Sequence, residues 1–522
     1  MAISKYFSKF ISTWLKHLLF AGLLASMMMA VLHVSVAESA QLEYQYEARS
    51  FNCSKVVDIS TTECEALVAL YDSTAGDYWF ENENWLISTT VDNWFGVTVS
   101  GSHVTGLELI NNFIVGTLPE ELGDLSELVT LKMNNNQISG SIPSQLGDLS
   151  NLEILALEFN QITGSIPQNL ENLSMIKELR FAFNELSGGI PVWLGNMTTL
   201  ENLTLGCNPL GGEIPSVLGD LLNLTGLMLF NTGVTGSIPS ELGKLDNLMY
   251  MHLNNNQLSG SIPPELGDMD SIKGLHLWDN QLEGSIPEDL GNLSAIWSLR
   301  LEENQLSGEI PDNLKNLTDL CLPGECEDLG IDYGLNLGYN HLNTTGLSTE
   351  LSDYVAIYDH DWQSTQAVEE IITGNVGGSL TSTDGSTEII IPSDAVEGEV
   401  TFTFEPQPEP DYYTGNLVFA NNSFELTAQD SAQNPITIFD EPLTVTLHYD
   451  EEDLAGGLEE DLALYYRDEG QNSWLDIVTT CDGGFYLRNL DENWLSVTVC
   501  HLSEFALLGK PVWNLYLPLI SK

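Results

Sequence analysis

Asparagine returns on a fixed count through the middle of this chain. Asn112, Asn136, Asn160, Asn184, Asn208, Asn256, Asn280 and Asn304 fall on one 24-residue period, and Thr232 stands at its missing rung. The text around each rung repeats as well: LVTLKMNNNQISGSIPSQLGDLSN at 128–151 returns as LMYMHLNNNQLSGSIPPELGDMDS at 248–271. Nine copies run from Val104 to about Leu317, and a tenth, with Leu335, Leu337 and Asn340, follows 12 extra residues. A unit this short cannot bury its own apolar face. The coils must stack on one another, which makes the region a solenoid.

Each recurring residue has a physical task. Leu131, Leu155, Leu203, Leu227, Leu275 and Leu299 recur at one inward position, and burying each stabilises by about 1.5–3 kcal/mol. The Asn amides are expected to turn inward and bond backbone groups that water cannot reach, so loss of one rung costs about 1–3 kcal/mol. Thr232 has a hydroxyl in place of an amide and marks an expected weak point. The Gly of each G-x-I-P element permits a bend and its Pro fixes φ where the chain turns back.

The pattern L-x-x-L-x-L-x-x-N-x-L-x-G-x-I-P-x-x-L-G-x-L resembles the plant-type leucine-rich repeat of receptor-kinase ectodomains and secreted polygalacturonase inhibitors, over about 104–345. The resemblance implies an α/β solenoid with a parallel sheet on its concave side, and recognition of proteins, peptides or glycans. Residues 38–103 resemble the family's N-terminal cap. Thr62 to Glu65 has the T-x-x-E form of a capping box ahead of Leu67, Leu70 and Tyr71, and Trp79, Trp85 and Trp94 follow. In plant members cysteines flank the element that reads Trp94-Phe95-Gly96-Val97 here. Asp92 and Val99 occupy those places, so the resemblance leaves a cap disulfide to Cys53 and Cys64.

After a closing cap and linker at 346–375, the period gives way to short alternating runs: Glu388 to Ile391, Val400 to Phe404, Leu443 to Leu447, Leu462 to Tyr466 and Val497 to Val499. Such runs, separated by turn residues, predict an all-β sandwich over 376–509. Gly377 to Leu380 and Glu388 to Ala395 resemble the opening of the sandwich module of ankyrins and netrin receptors, as in bacterial exported proteins. Some of those modules cleave themselves at His-x-Ser; His501-Leu502-Ser503 has that form, and its plainer reading is a final strand. An apolar tail fills 510–522, too short to span a bilayer.

Residues 1–37 read as a signal peptide: Lys5, Lys9 and Lys16, an apolar run from Leu18 to Val36, and a cleavage site after Ala37 or Ala40. An uncleaved anchor is the rival reading; no later stretch inserts in a membrane. The expected location is secreted or at the cell surface. A formal charge of −59 repels nucleic acid and anionic membranes as partners. In an exported chain the close pairs Cys53/Cys64, Cys321/Cys326 and Cys481/Cys500 are disulfide candidates, with Cys207 left over as a free thiol.

The residues between the two strand leucines form one outward row: Glu108, Lys132, Ala156, Arg180, Thr204, Met228, His252, His276 and Arg300. Phe159, Phe183, Phe230, Tyr250 and Trp278 flank it. Aromatic side chains with Arg are the usual anchors of a binding surface, so Phe159, Arg180, Phe183, Phe230, Tyr250, His252, His276, Trp278 and Arg300 are the candidate ligand-binding set. The expected partner is an extracellular protein or peptide, with a glycan, or inhibition of a wall-degrading enzyme, as alternatives. The acidic runs at 450–453 and 459–461 raise a third reading, a structural surface protein that holds calcium. No H-E-x-x-H, G-x-S-x-G, G-x-x-x-x-G-K or C-x-x-C occurs; no catalytic residue, metal site or cofactor is expected.

Overall fold

The computed structural model describes residues 51–322, 334–344, 347–359, 362–363, 365–383, 386–407, 418–436, 438–449, 462–468, 473–479, 486–489, 493–501 and 504–509. The leader, Cys326, the two acidic runs, Cys481, Leu502, Ser503 and the tail lie outside them.

The coils build one 11-stranded sheet. Its first pair, Val97–Ser100 and His103–Glu108, is antiparallel. Pairing between successive coils is parallel from there on, through Thr130–Lys132, Ile154–Ala156, Glu178–Arg180, Asn202–Thr204, Gly226–Met228, Tyr250–His252, Gly274–His276 and Ser298–Arg300. The register is strictly in step, Leu131 opposite Leu155 opposite Leu179, and all three are fully buried. Across the 12-residue insertion the ladder resumes, with the Leu299 amide donating to the Gly334 carbonyl at 2.7 Å.

The Asn rungs work as expected. Asn184 Nδ2 donates to Leu157 O of the preceding coil and to Phe181 O of its own, both at 3.0 Å, while its Oδ1 accepts the Ile162 amide at 2.9 Å. Thr232 lacks a bond to the preceding coil: its hydroxyl meets Leu229 O at 2.8 Å within its own coil and Asn256 Oδ1 at 3.0 Å in the next. The preceding coil also departs: Leu210 N turns to Asn208 O at 2.8 Å. Here the outer ladder breaks into a four-stranded sheet ending at Glu185–Leu186 and a five-stranded sheet starting at Thr235–Gly236.

The return segment of each coil is a five-residue 3₁₀ turn, such as Ser144–Asp148, with Pro143 as its N-cap. Two glycines per coil serve different needs. Gly140 bends the chain at φ +76°, whereas a Cβ on Gly147 would sit 2.1 Å from the Asn169 carbonyl oxygen of the next coil.

The N-terminal helix α1, Thr61–Ser73, does carry a capping box, but Ser60 and Glu63 form it rather than Thr62 and Glu65. Ser60 is the extended residue, and Glu63 reaches back to its amide at 3.1 Å. The other oxygen of Glu63 accepts the Val104 amide at 3.0 Å, so this buried carboxylate ties the cap to the first coil. Cys53 and Cys64 are bonded, with Cα atoms 5.7 Å apart. Cys321 and Cys500 each take part in a disulfide of their own, with their expected partners Cys326 and Cys481 outside the described residues, and Cys207 is free.

At the far end, helix α2, Thr349–Tyr358, precedes a substitute rung. Gln366, fully buried, accepts the Leu342 amide at 3.0 Å and donates to Leu337 O at 3.2 Å, and Asp359 accepts the Leu337 amide at 2.7 Å.

Beyond it lies a β-sandwich. Val368–Thr373, Glu399–Pro406, Val418–Asp430, Glu504–Gly509, Ala463–Asp468 and Ser473–Asp476 form one antiparallel sheet; Gly378–Thr381, Thr387–Ile391, Ile438–His448, Trp494–His501 and Leu487–Asn489 form the other. Phe402, Phe424 and Phe505 of the first share one core with Ile389, Val445 and Val499 of the second. By contact the chain divides into two units, the first holding the N-terminal cap and most of the coils to Leu335, the second the last coil and the sandwich.

Candidate functional site: the outward face of the parallel sheet

The sheet register makes Glu108, Lys132, Ala156, Arg180, Thr204, Met228, His252, His276 and Arg300 consecutive neighbours. The five flanking aromatics occupy three different rows. Tyr250 precedes the outward row by two residues, Phe230 and Trp278 follow it by two, and Phe159 and Phe183 by three. All nine candidate residues are half-buried.

One cluster is built on the Phe159 and Phe183 rings, stacked 4.3 Å apart at 10°. Phe230 meets Phe183 edge-on at 5.9 Å. Its ring lies over Gly206, where a Cβ would come within 2.6 Å of it.

The backbone here carries a periodic surprise. The residue before every rung is left-handed, with φ between +52° and +58° at Asn111, Asn135, Phe159, Phe183, Cys207, Asn231, Asn255, Asp279, Glu303 and Tyr339. Asn tolerates this conformation; a bulky aromatic does so at a cost. Recurrence of Asn at 111, 135, 231 and 255 was the available sequence signal.

A second cluster surrounds the two histidines. The His252 and His276 rings stack 4.2 Å apart at 8°, and Tyr250 sits edge-on to His252 at 6.4 Å. Gly274, opposite Tyr250 on the His276 strand, leaves room for that ring, because a Cβ there would lie 3.3 Å from it. A His276 ring nitrogen, Nε2, is 3.0 Å from Ser298 Oγ. Burial, aided by the Arg300 charge, pushes His252 down to about 4. Burial, then His252, then Arg300 hold His276 well below the usual imidazole range. Burial raises the Tyr250 phenol. Arg300 lies over the Trp278 ring at 4.9 Å, and Trp278 Nε1 is buried with no partner. Among the described residues no group of three metal-ligating side chains converges.

Arg180 differs from what its place in the row suggests. Its Nε donates to Glu158, a carboxylate only 3% exposed, and its Nη1 lies 3.5 Å from Glu178. The guanidinium is engaged by two acids of its own surface. Burial raises the Glu158 carboxyl even against Arg180. Sequence reasoning missed Glu158, because an acid just past the end of an outward strand reads as solvated.

An open groove of about 630 Å³ lies off this face, along residues that directly precede strands, among them Thr225, Met249 and Lys273. Lys273 is committed there to Ala295 O at 3.0 Å and to the Trp297 ring at 5.1 Å.

The fold and repeat define a leucine-rich-repeat solenoid followed by an all-β domain. The Leucine Rich Repeat family model matches residues 127–149, 151–173, 247–269, 271–293 and 296–317. No curated protein matches the chain. Among solved structures, it is similar to the leucine-rich-repeat ectodomain of the Arabidopsis thaliana membrane receptor kinase GASSHO1/SCHENGEN3 in complex with CASPARIAN STRIP INTEGRITY FACTOR 2, at 37% identity and a TM-score of 0.46, over 48% of this chain and 29% of that one. The Arabidopsis receptor kinase HAESA, in complex with the peptide hormone IDA and the co-receptor SERK1, matches at 32% identity and a TM-score of 0.42, over 50% and 46%. A plant ice-binding protein matches at 21% identity and a TM-score of 0.48, over 58% and 94%. The chain spans less than half the length of these two receptor ectodomains. No helix among the described residues is long and apolar enough to cross a membrane.

Proposed function

We propose that this chain is a non-catalytic extracellular recognition protein that binds a protein or peptide on the outward face of its parallel sheet. The observation that carries the reading is the Phe159–Phe183 pair: two stacked aromatic residues in a left-handed conformation that Asn fills at four equivalent positions. Backbone strain retained at a half-exposed surface serves something other than stability. Large aromatics grouped with Met228, His252, His276 and Arg300 supply the anchors such an interface needs. The bonded cysteines fit an oxidising compartment.

The test is capture from the native extracellular medium by the full secreted chain, with Phe183→Asn and Trp278→Ala variants of unchanged melting temperature as controls. A protein or peptide held by the wild type and lost by both variants supports the reading. Equal capture by all three moves the site off this face. Capture of a polysaccharide, or of a wall-degrading enzyme that loses activity, would favour the glycan or inhibitor alternatives.

A further inference from the structure

Two oxygen atoms beside the phenylalanine pair are buried and lack any donor: Glu158 Oε2 and Asn135 Oδ1. Their residues face each other across the ladder, where the Asn135 amide donates to the Glu158 carbonyl at 2.9 Å. Glu158 Oε1 already takes Arg180, but Arg180 is shared with Glu178. One guanidinium thus serves two carboxylates, and the group keeps a net negative charge. The nearest cation along the row on the other side, Lys132, is bonded to Glu108 at 3.1 Å. Ala156 and Ala182, next to Glu158 in the sheet, are small and fully packed, so Glu158 has no long neighbour on those sides to supply the missing donor. Both orphaned atoms are acceptors only. A buried carboxylate oxygen calls for a charged donor more than a neutral one.

We infer that this patch takes a guanidinium group from the partner segment, with Glu158 Oε2 and Asn135 Oδ1 as its two acceptors. The inference rests on the recognition reading above and adds the chemistry of the ligand to it. A guanidinium presents paired N–H donors in a rigid fork, which suits two acceptors on residues bonded across the ladder better than a point-charge ammonium does. The chain's charge of −59 draws such a group in from a distance. The Phe159–Phe183 stack, adjoining Glu158 in the chain, offers apolar cover to the stem that bears it.

The probe is n-butylguanidinium chloride, titrated into the full chain at constant ionic strength, with n-butylurea as the uncharged counterpart. The ¹³C-labelled methyl groups of Ala156 and Ala182 report locally by NMR. Saturable shifts with the guanidinium and none with the urea are expected. In Glu158→Gln the affinity falls at least about tenfold, while Glu121→Gln, the same charge change at an exposed residue of a return turn, leaves it unaltered. Equal binding in the two variants, equal response to the urea, or no saturable shift overturns the inference. A partner captured through Phe183 but indifferent to Glu158→Gln overturns it too, and leaves the recognition reading standing.

Discussion

The Val99 amide donates to Asp92 Oδ1 at 3.0 Å. These two residues flank Trp94-Phe95-Gly96-Val97, and this backbone-to-side-chain hydrogen bond closes the loop that holds them. Asp58 reinforces the same loop by accepting the Val91 and Asp92 amides, both at 2.9 Å. Asp92→Ala should lower the unfolding free energy by about 0.5–1.5 kcal/mol, the ordinary worth of one such bond, in a urea titration. A loss several times larger would mean that the loop is a keystone of the cap.

Acid should weaken the fold through the stacked histidines. Their folded values lie below the unfolded value near 6.5, so the unfolded chain binds more protons once the pH drops below that point. Stability from this pair is complete above pH 6.5 and drains away as the pH falls toward about 4, where His252 titrates. Melting curves between pH 7.5 and 4.5 should therefore fall less steeply for a His252→Asn/His276→Asn double variant than for the wild type. Parallel slopes would remove the histidines from the account.

Converting Phe159 and Phe183 to Asn separates binding from stability. The stack is worth about 0.5–1.5 kcal/mol, and relief of two left-handed aromatics returns a comparable amount. The double variant should melt close to the wild type, by calorimetry, while losing its partner.

The rungs should be unequal. Asn256→Ala strands the buried Thr232 and Val234 amides and leaves the Leu229 carbonyl to the Thr232 hydroxyl alone, at a cost of at least about 2 kcal/mol. Thr232→Asn should gain up to about 1 kcal/mol by restoring a bond to the preceding coil. Chemical denaturation of both variants checks the pair of signs.

Gly147→Ala tests close coil contact. Its Cβ would meet a backbone oxygen that has nowhere to retreat, so a loss of about 1–3 kcal/mol or more is expected. An Ala there without effect on denaturation would show that the coils can slide apart freely.

The outward row was legible because parallel strands one period apart must be register neighbours; Phe159 against Phe183 and His252 against His276 follow from a spacing of 24 alone. What sits diagonally was not legible. Glu158 reaches Arg180 across 22 residues, and a place two residues past the end of a strand does not announce the contact. The capping box was displaced by two residues because Thr62 and Ser60 offer the same motif, and only backbone conformation chooses between them. Gln366 escaped notice because it lies 26 residues after Asn340, off the period, and its longer side chain makes up the difference.

The gap in the outer ladder between Glu185–Leu186 and Thr235–Gly236 bears on how the molecule fails. In a linear array each coil is coupled only to its neighbours, and cooperativity is as strong as its weakest junction. The coil that reads Pro209-Leu210-Gly211-Gly212 has lost its outer strand, and the rung after it has lost its cross-coil amide. That junction is a natural seam. Four outer-strand coils on one side and five strands on the other can fray as blocks, which puts the Phe159–Phe183 pair before the seam and the His252–His276 pair after it, with Phe230 reaching back across it to Phe183.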